Sequence, residues 1–400
     1  MNTDPVLNRS SFSPELSLLL LLSAENQEDT AAALAAAVDG GHMDWKLFLQ
    51  LAEHHRVYPS VYLQLKRVNA LHNPALPQEL MHALQSMYTR NTFQMLHLSA
   101  EMTKVCDRMS NESIRMLVLK GPALAKHLYG DISLRTSKDL DVLVAPEDVT
   151  AAAGQLAEMG YITDYANHHL FHLWKRKTHH ISYYHPVHRT MIEVHWQLDP
   201  HKGSEPPFEA MWKRRQTVLF SDTPVHTPGD QDLLLYLAIH GARHGWFRLR
   251  WLADVDRLLR SSPVRQERLP AGCDRAYRAI VGQSMLLSAD LFGTPLSKED
   301  EGLYANDRSR RLARTALPFI LSGKRCPDES SKQAVHEFRH YLLDLMSIRQ
   351  RLDYYTKPLF PSSRDAAQLP MPRPLHFLYF PLRPLLWLWR QFRRQPLTRG

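Results

Sequence analysis

The run Asp139 to Val144, reading Asp-Leu-Asp-Val-Leu-Val, limits what this chain can fold into. If it is a strand, period-two alternation puts Asp139 and Asp141 on one face and Leu140, Val142 and Val144 on the other. Two carboxylates then project together from an otherwise buried strand. That placement costs free energy unless the charges are compensated, and a divalent cation is one means of compensating them.

The flanking sequence sets the run in a strand-helix-strand-helix order. Ile114 to Leu119 is an apolar run suited to a strand, Gly121 falls at the turn, and Pro122 to Tyr129 suits a helix with proline at its first position. A polar loop from Gly130 to Lys138 leads into the Asp-x-Asp strand. Beyond it, Pro146, Glu147 and Asp148 favour a helix start, Val149, Ala152, Ala153, Leu156 and Met159 make an apolar stripe, and Gly160 is a good stop. Lys177 to Tyr184 and Thr190 to Leu198 then read as a hairpin around His185, Pro186 and Val187. In its second strand Ile192, Val194, Trp196 and Leu198 share one face, while Glu193 and His195 share the other.

Both sides of this core read as helical. Pro14 to Ala24, Thr30 to Val38, Asp44 onward and Val57 to Leu65 carry helical patterns, with a break expected near Pro59, and Gln78 to Met109 is long enough for an extended helix. Helical signals return at Pro206. They continue from Thr227 and Pro228 through Leu233 to Ile239, then Trp251 to Leu259, Tyr277 to Leu291, Ser309 to Leu321 and Gln333 to Leu352. Four segments follow: an N-terminal helical region (1–110), an α/β core (111–204), a C-terminal helical domain (205–360) and a basic aromatic tail (361–400).

In the tail, Phe377, Tyr379, Phe380, Trp387, Trp389 and Phe392 alternate with Arg373, Arg383, Arg390, Arg393 and Arg394, with no acid after Asp365. Pro381 and Pro384 argue against one uninterrupted helix, and the arginines argue against a spanning segment. A membrane-surface anchor and packing on the protein's own helices both stand as readings. Leu16 to Leu22 is too short to span a bilayer and lacks the flanks of a signal peptide. Cys106, Cys273 and Cys326 are far apart and in no metal-like spacing, which argues against a disulfide framework or structural zinc and fits a reducing, cytoplasmic setting. A net charge of +8 with pI near 9.3 points to an anionic partner such as a nucleotide, a phosphorylated substrate or a lipid surface. Nucleic-acid binding is disfavoured, because the arginines cluster in the tail without a recognised reading module.

Magnesium-dependent nucleotidyl transfer needs carboxylates to hold metal, groups to hold a triphosphate, and room for an acceptor. Asp139, Asp141 and Glu193 supply the carboxylates. Gly121 would let the backbone come close to phosphate oxygens at a helix start, and Lys120, Arg135 and Lys138 are the nearest counter-charges. Arg135 could instead brace its loop by pairing with Asp131. His240 and His244, four apart on a helix, have a spacing compatible with a metal but no third ligand in the sequence; with Arg243 they are expected to wall a substrate cleft or to cap the helical domain. His195, beside Glu193 on the same face, belongs to that cleft. The other histidines of the hairpin, His179, His180, His185 and His188, are expected to be largely exposed.

The segments VLKGPAL, LYGDISLRTSKDLDVLV, IEVHWQL and LLYLAIHGARHGWFRLRWLADVDRLL resemble the bacterial uncharacterised nucleotidyltransferase family, within the polymerase-β-like nucleotidyltransferase superfamily. The resemblance covers roughly Asp44 to Leu259. It implies an α+β fold, a small mixed sheet flanked by N-terminal and C-terminal helical regions, with Asp139 and Asp141 as ligands of Mg2+ or Mn2+ and Glu193 as the third acid. The expected activity is transfer of an NMP group from an NTP, ATP among them, to an acceptor such as a protein, a sugar or a small molecule. One departure is local: where the superfamily has Gly-Ser at the phosphate turn, this chain has Lys120 and Gly121 followed by Pro122, so no serine hydroxyl is available there. The competing expectation is a catalytically silent nucleotide-binding or scaffold protein at the membrane surface.

Overall fold

A long helix, a mixed sheet and a layer of C-terminal helices define the architecture in the computed structural model, which describes residues 12–24, 30–40, 42–72, 76–163, 178–201, 203–261, 269–323, 331–360, 365 and 368–393. Helices α1 (Pro14–Ser23), α2 (Thr30–Asp39), α3 (Trp45–His55) and α4 (Tyr58–His72) precede α5 (Gln78–Asn111). Asp44 caps α3 by accepting from the Leu47 amide at 2.9 Å. The expected break near Pro59 falls instead at Arg56, in the left-handed region at φ 56°, and Pro59 lies within the first turn of α4, where a missing N–H does no harm.

The central sheet has the order β1-β2-β4-β3, with β1 Met116–Val118, β2 Leu140–Val144, β3 His180–His185 and β4 Thr190–His195. The β1/β2 and β3/β4 pairs are antiparallel and β2/β4 is parallel, so the sheet is mixed and the fold α+β, as expected. One face carries Met116, Val118, Leu140, Val142, Val144, Ile181, Tyr183, Ile192 and Val194. They share a core with α5 and with α7 (Val149–Glu158), through residues such as Leu98, Met102, Val105, Ala152 and Leu156. Helix α6 (Pro122–Tyr129) closes the β1–β2 connection, with Pro122 at its first position. Leu117 and Leu143 point to the opposite face and join the larger core, which runs from α1 through the C-terminal helices.

After a short α8 (Phe208–Lys213), the helical reading from Pro206 misses a hairpin, β5 (Gln216–Phe220) with β6 (Thr223–Thr227), turning at Ser221 with φ 51°. Its Phe220 and Val225 are buried in the sheet-side core, and that tertiary packing fixes the strands. Then come α9 (Asp230–Arg243), α10 (Leu249–Ser261), α11 (Arg275–Phe292), α12 (Glu301–Tyr304) and α13 (Asp307–Leu321). The single helix expected over Gln333 to Leu352 divides into α14 (Lys332–Leu345) and α15 (Ile348–Thr356), because Ser347 and Gln350 form a capping box that starts a new helix.

In the tail, α16 (Tyr379–Arg393) is one helix despite both prolines. Pro381 lies in its first turn, so only Pro384 removes an internal hydrogen bond. Tyr379 and Leu386 are buried in the sheet-side core, while Phe380, Leu385, Trp387, Leu388 and Trp389 face outward. Among the described residues no helix is long and apolar enough to cross a membrane. Cys106 is buried and Cys273 half-buried, and both are free thiols; Cys326 lies outside the described residues.

Candidate active site

Alternation along β2 and β4 turns Asp141, Glu193 and His195 away from the sheet-side core and toward the C-terminal helices. Because the two strands are parallel neighbours, Asp141 stands in register with Glu193, and Leu143 with His195. His195 Nε2 lies 3.2 Å from Asp141 Oδ1 and 3.4 Å from Glu193 Oε2. On the other side, Lys120 Nζ is 3.0 Å from Asp141 Oδ2. The turn that carries Lys120 is tied to β2 by the Leu119 amide, which donates to the Asp141 carbonyl at 2.8 Å.

Gly121 makes this approach sterically feasible. Its φ is 88°, and a Cβ there would meet Leu140 Cδ2 at 3.0 Å. Any other residue would be strained and would push the turn off the strand that bears the carboxylates.

Burial opposes charge on Asp141, but Lys120 and then the hydrogen bond from His195 outweigh it and hold the carboxyl well below the usual carboxylate range. His195 is the mirror case: burial lowers its pKa, and Asp141 and Glu193 together more than reverse this, raising it above the ordinary value. Asp139, just before β2, is raised by burial first and by the charge of Asp141 second. Its carboxylate makes no hydrogen bond or ion pair among the described residues, whereas Ser137 Oγ donates to its carbonyl at 3.0 Å. A half-buried carboxylate with no direct partner is the group that a cation would satisfy.

The helix α9 closes the site. Tyr236 places its ring 5.8 Å from Lys120 Nζ. His240 is held neutral by burial first and then by Lys120, so the helix end reaches the Lys-Gly turn. His244 stacks on Trp251 at 5.0 Å between ring centroids, and the described residues bring no third metal ligand to His240 and His244. Arg243 makes no hydrogen bond or ion pair among the described residues; burial lowers its pKa, against the charges of Asp199 and Glu193.

The remaining candidates lie elsewhere. Arg135 is 1% exposed and engages both carboxylate oxygens of Asp254 on α10, at 2.9 and 3.1 Å from Nε and 2.9 Å from Nη2. The alternative pairing with Asp131 does not form: Asp131 accepts from the Ser133 amide instead, at 2.8 Å. Lys138 is exposed on the loop before β2.

Two residues expected to be exposed are drawn into the site. His179 Nε2 and His180 Nδ1 are 3.1 Å apart, and each offers a ring nitrogen within 4.8 Å of one from His195. Hairpin register was the signal for this: with His185 opposite Thr190, His180 falls opposite His195.

The donor set suits a metal ion. Asp141, Glu193 and His195 each place one ligand atom within 4.8 Å of the others, Asp139 adds the unpartnered carboxylate, and His195 Nδ1 is buried without a hydrogen-bond partner. Carboxylate oxygens with a nearby imidazole make a donor set able to hold a divalent metal ion.

A family model described as "Uncharacterised nucleotidyltransferase" matches residues 41–293. Among solved structures, the chain is similar to the crystal structure of an antigenic nucleotidyltransferase-like protein from Paracoccidioides brasiliensis. The match has a TM-score of 0.34 and 12% identity, over 52% of this chain and 97% of that one. Among curated proteins no relative matches.

Proposed function

The chain belongs to the uncharacterised nucleotidyltransferase family, and from that premise we propose that Asp139, Asp141 and Glu193 form the centre of a metal-dependent transfer of an NMP group from an NTP to an acceptor oxygen. The observation that carries this reading is the in-register pair Asp141 and Glu193 with the unpartnered Asp139 beside it. Magnesium or manganese held by these carboxylates supplies charge neutralisation and orientation for the triphosphate.

In the transfer, an acceptor oxygen attacks the α-phosphorus, its bond to the bridging oxygen of the β-phosphate breaks, and pyrophosphate leaves. Glu193, the more exposed of the in-register pair, takes the proton of the incoming acceptor. Lys120 holds Asp141 ionised, and Arg243 offers the triphosphate an uncommitted guanidinium. Gly121 keeps the turn close enough for its backbone to face phosphate oxygens. Arg135 acts one step removed, fixing the loop before Asp139 against α10.

Pyrophosphate release from each of the four common NTPs with magnesium or manganese tests the proposal. Release by the native protein should fall by about 100-fold or more in Asp139→Asn and Asp141→Asn. Equal release in both variants would remove these carboxylates from the chemistry.

A second reading concerns location. The outward aromatic face of α16, in a segment without acids after Asp365, fits an anionic lipid surface. Cosedimentation with phosphatidylserine vesicles should weaken on Trp387→Ala and Trp389→Ala, and unchanged binding would count against it.

A further inference from the structure

On the far side of the loop that leads into Asp139 lies a cavity of about 660 Å³ that the proposed transfer leaves without a role. Its volume falls within the range of about 300–1,000 Å³ usual for small-molecule sites. Four cations line it, Arg56, Arg90, Lys138 and Arg248, against the single carboxylate of Glu53 among the described residues. None of the four charged groups makes a hydrogen bond or ion pair among the described residues; Arg248 rests over the Phe247 ring at 5.1 Å.

Like charges collected around a void repel one another, and burial of Arg56 adds to the cost. An anion in the cavity relieves both. Arg56 is set in place by its left-handed backbone at the end of α3, Arg90 by the middle of α5, and Lys138 by the loop that Ser137 fastens to Asp139. Three separate segments thus aim cations at one space. Thr136, Ser137 and Lys138 also line the cavity, so it borders the loop that runs directly into Asp139.

We propose that this cavity binds the phosphoryl groups of a reactant, through Arg56, Arg90, Lys138 and Arg248. Guanidinium groups suit phosphate because their planar N–H pairs match its oxygens. The phosphoryl groups come from one of two sources, the triphosphate of the NTP or a phosphorylated acceptor. Assigning the source rests on the nucleotidyl-transfer reading, whereas the binding itself does not.

Calorimetric titration of the full chain with inorganic tripolyphosphate, and separately with each NTP and magnesium, tests this. The variants are Arg56→Gln/Arg248→Gln and Arg90→Gln/Lys138→Gln; the second pair is exposed, so the fold is not at risk. The native protein should bind tripolyphosphate, and either double variant that keeps the native melting temperature should bind it about tenfold or more weakly. Parallel weakening of NTP binding assigns the cavity to the donor triphosphate, and unchanged NTP binding assigns it to a phosphorylated acceptor. No tripolyphosphate binding by the native protein, or equal binding by both variants, would overturn the proposal. Asp141→Asn separates the two ideas: tripolyphosphate binding should persist in it whether or not nucleotidyl transfer occurs.

Discussion

Asp141 on β2 and Glu193 on β4 are register partners across a parallel strand pair, and His195 bridges them at 3.2 and 3.4 Å. Two acids 52 positions apart in the chain (193 minus 141) are thereby fixed on one face of a sheet whose opposite face is apolar core. Held so close, they need a positive partner, and the structure supplies Lys120, His195 and the donor set for an ion. Manganese titration followed by electron paramagnetic resonance should show affinity reduced about tenfold or more in Asp141→Asn and in Glu193→Gln. Native-like manganese affinity in both would separate this pair from metal binding.

Lys120→Met should destabilise the protein by about 3–5 kcal/mol, because it leaves a buried carboxylate with one partner removed. The side chains of Lys120 and Asp141 are 9% and 2% exposed, so solvent cannot take over the pairing. The pH dependence carries a sign. Asp141 has a native pKa below its ordinary 3.8, so its stabilisation is present above that value and is lost as pH falls through the native one. Removing Lys120 raises the native pKa, and acid unfolding should begin at higher pH. Denaturant melts between about pH 3 and pH 7 would show it.

Glu205 offers the opposite sign. It accepts from the amides of Leu198 and Asp199 at about 3 Å, yet burial first and the nearby Asp199 second push its pKa up to about 8. A raised native pKa means stability that is complete below the ordinary 4.5 and lost as pH rises through about 8. Glu205→Gln lacks this loss. Its melting temperature relative to the native protein should climb as pH rises from about 4.5 to about 8 and level off above that, and a constant difference would contradict the assignment.

The buried pair of Arg135 and Asp254 clamps the loop before Asp139 to α10, with Tyr129 also donating to Asp254 at 2.8 Å. Asp254→Asn should cost about 3–5 kcal/mol, since it leaves a buried guanidinium without its counter-charge. Equilibrium unfolding in urea measures this directly, and a change below about 1 kcal/mol would mean the clamp is idle.

Local pattern made much of this fold legible. Asp-Leu-Asp alternation, Pro122 after a glycine turn, and the stripe ending at Gly160 each depend on neighbours within one or two turns of chain. What the pattern could not convey was pairing at distance. Arg135 read as a phosphate ligand because nothing local shows Asp254, 119 positions on, as its partner. The same holds for Arg56 and Arg248, which meet around one cavity only after folding. His179 and His180 were within reach, since the hairpin register alone places His180 opposite His195. The β5–β6 hairpin was also within reach, through Thr217 to Phe220 and the Ser221-Asp222 turn, but a surrounding helical trend concealed it.

The most direct test of the central claim is parallel incubation with NTPs labelled at the α- or the γ-phosphate, with magnesium and an extract that supplies acceptors. The proposed transfer requires that α-label, and not γ-label, enter a product with the native protein, and that neither do so with Asp141→Asn. Transfer of the γ-label, or α-label transfer equal in Asp141→Asn, would contradict it.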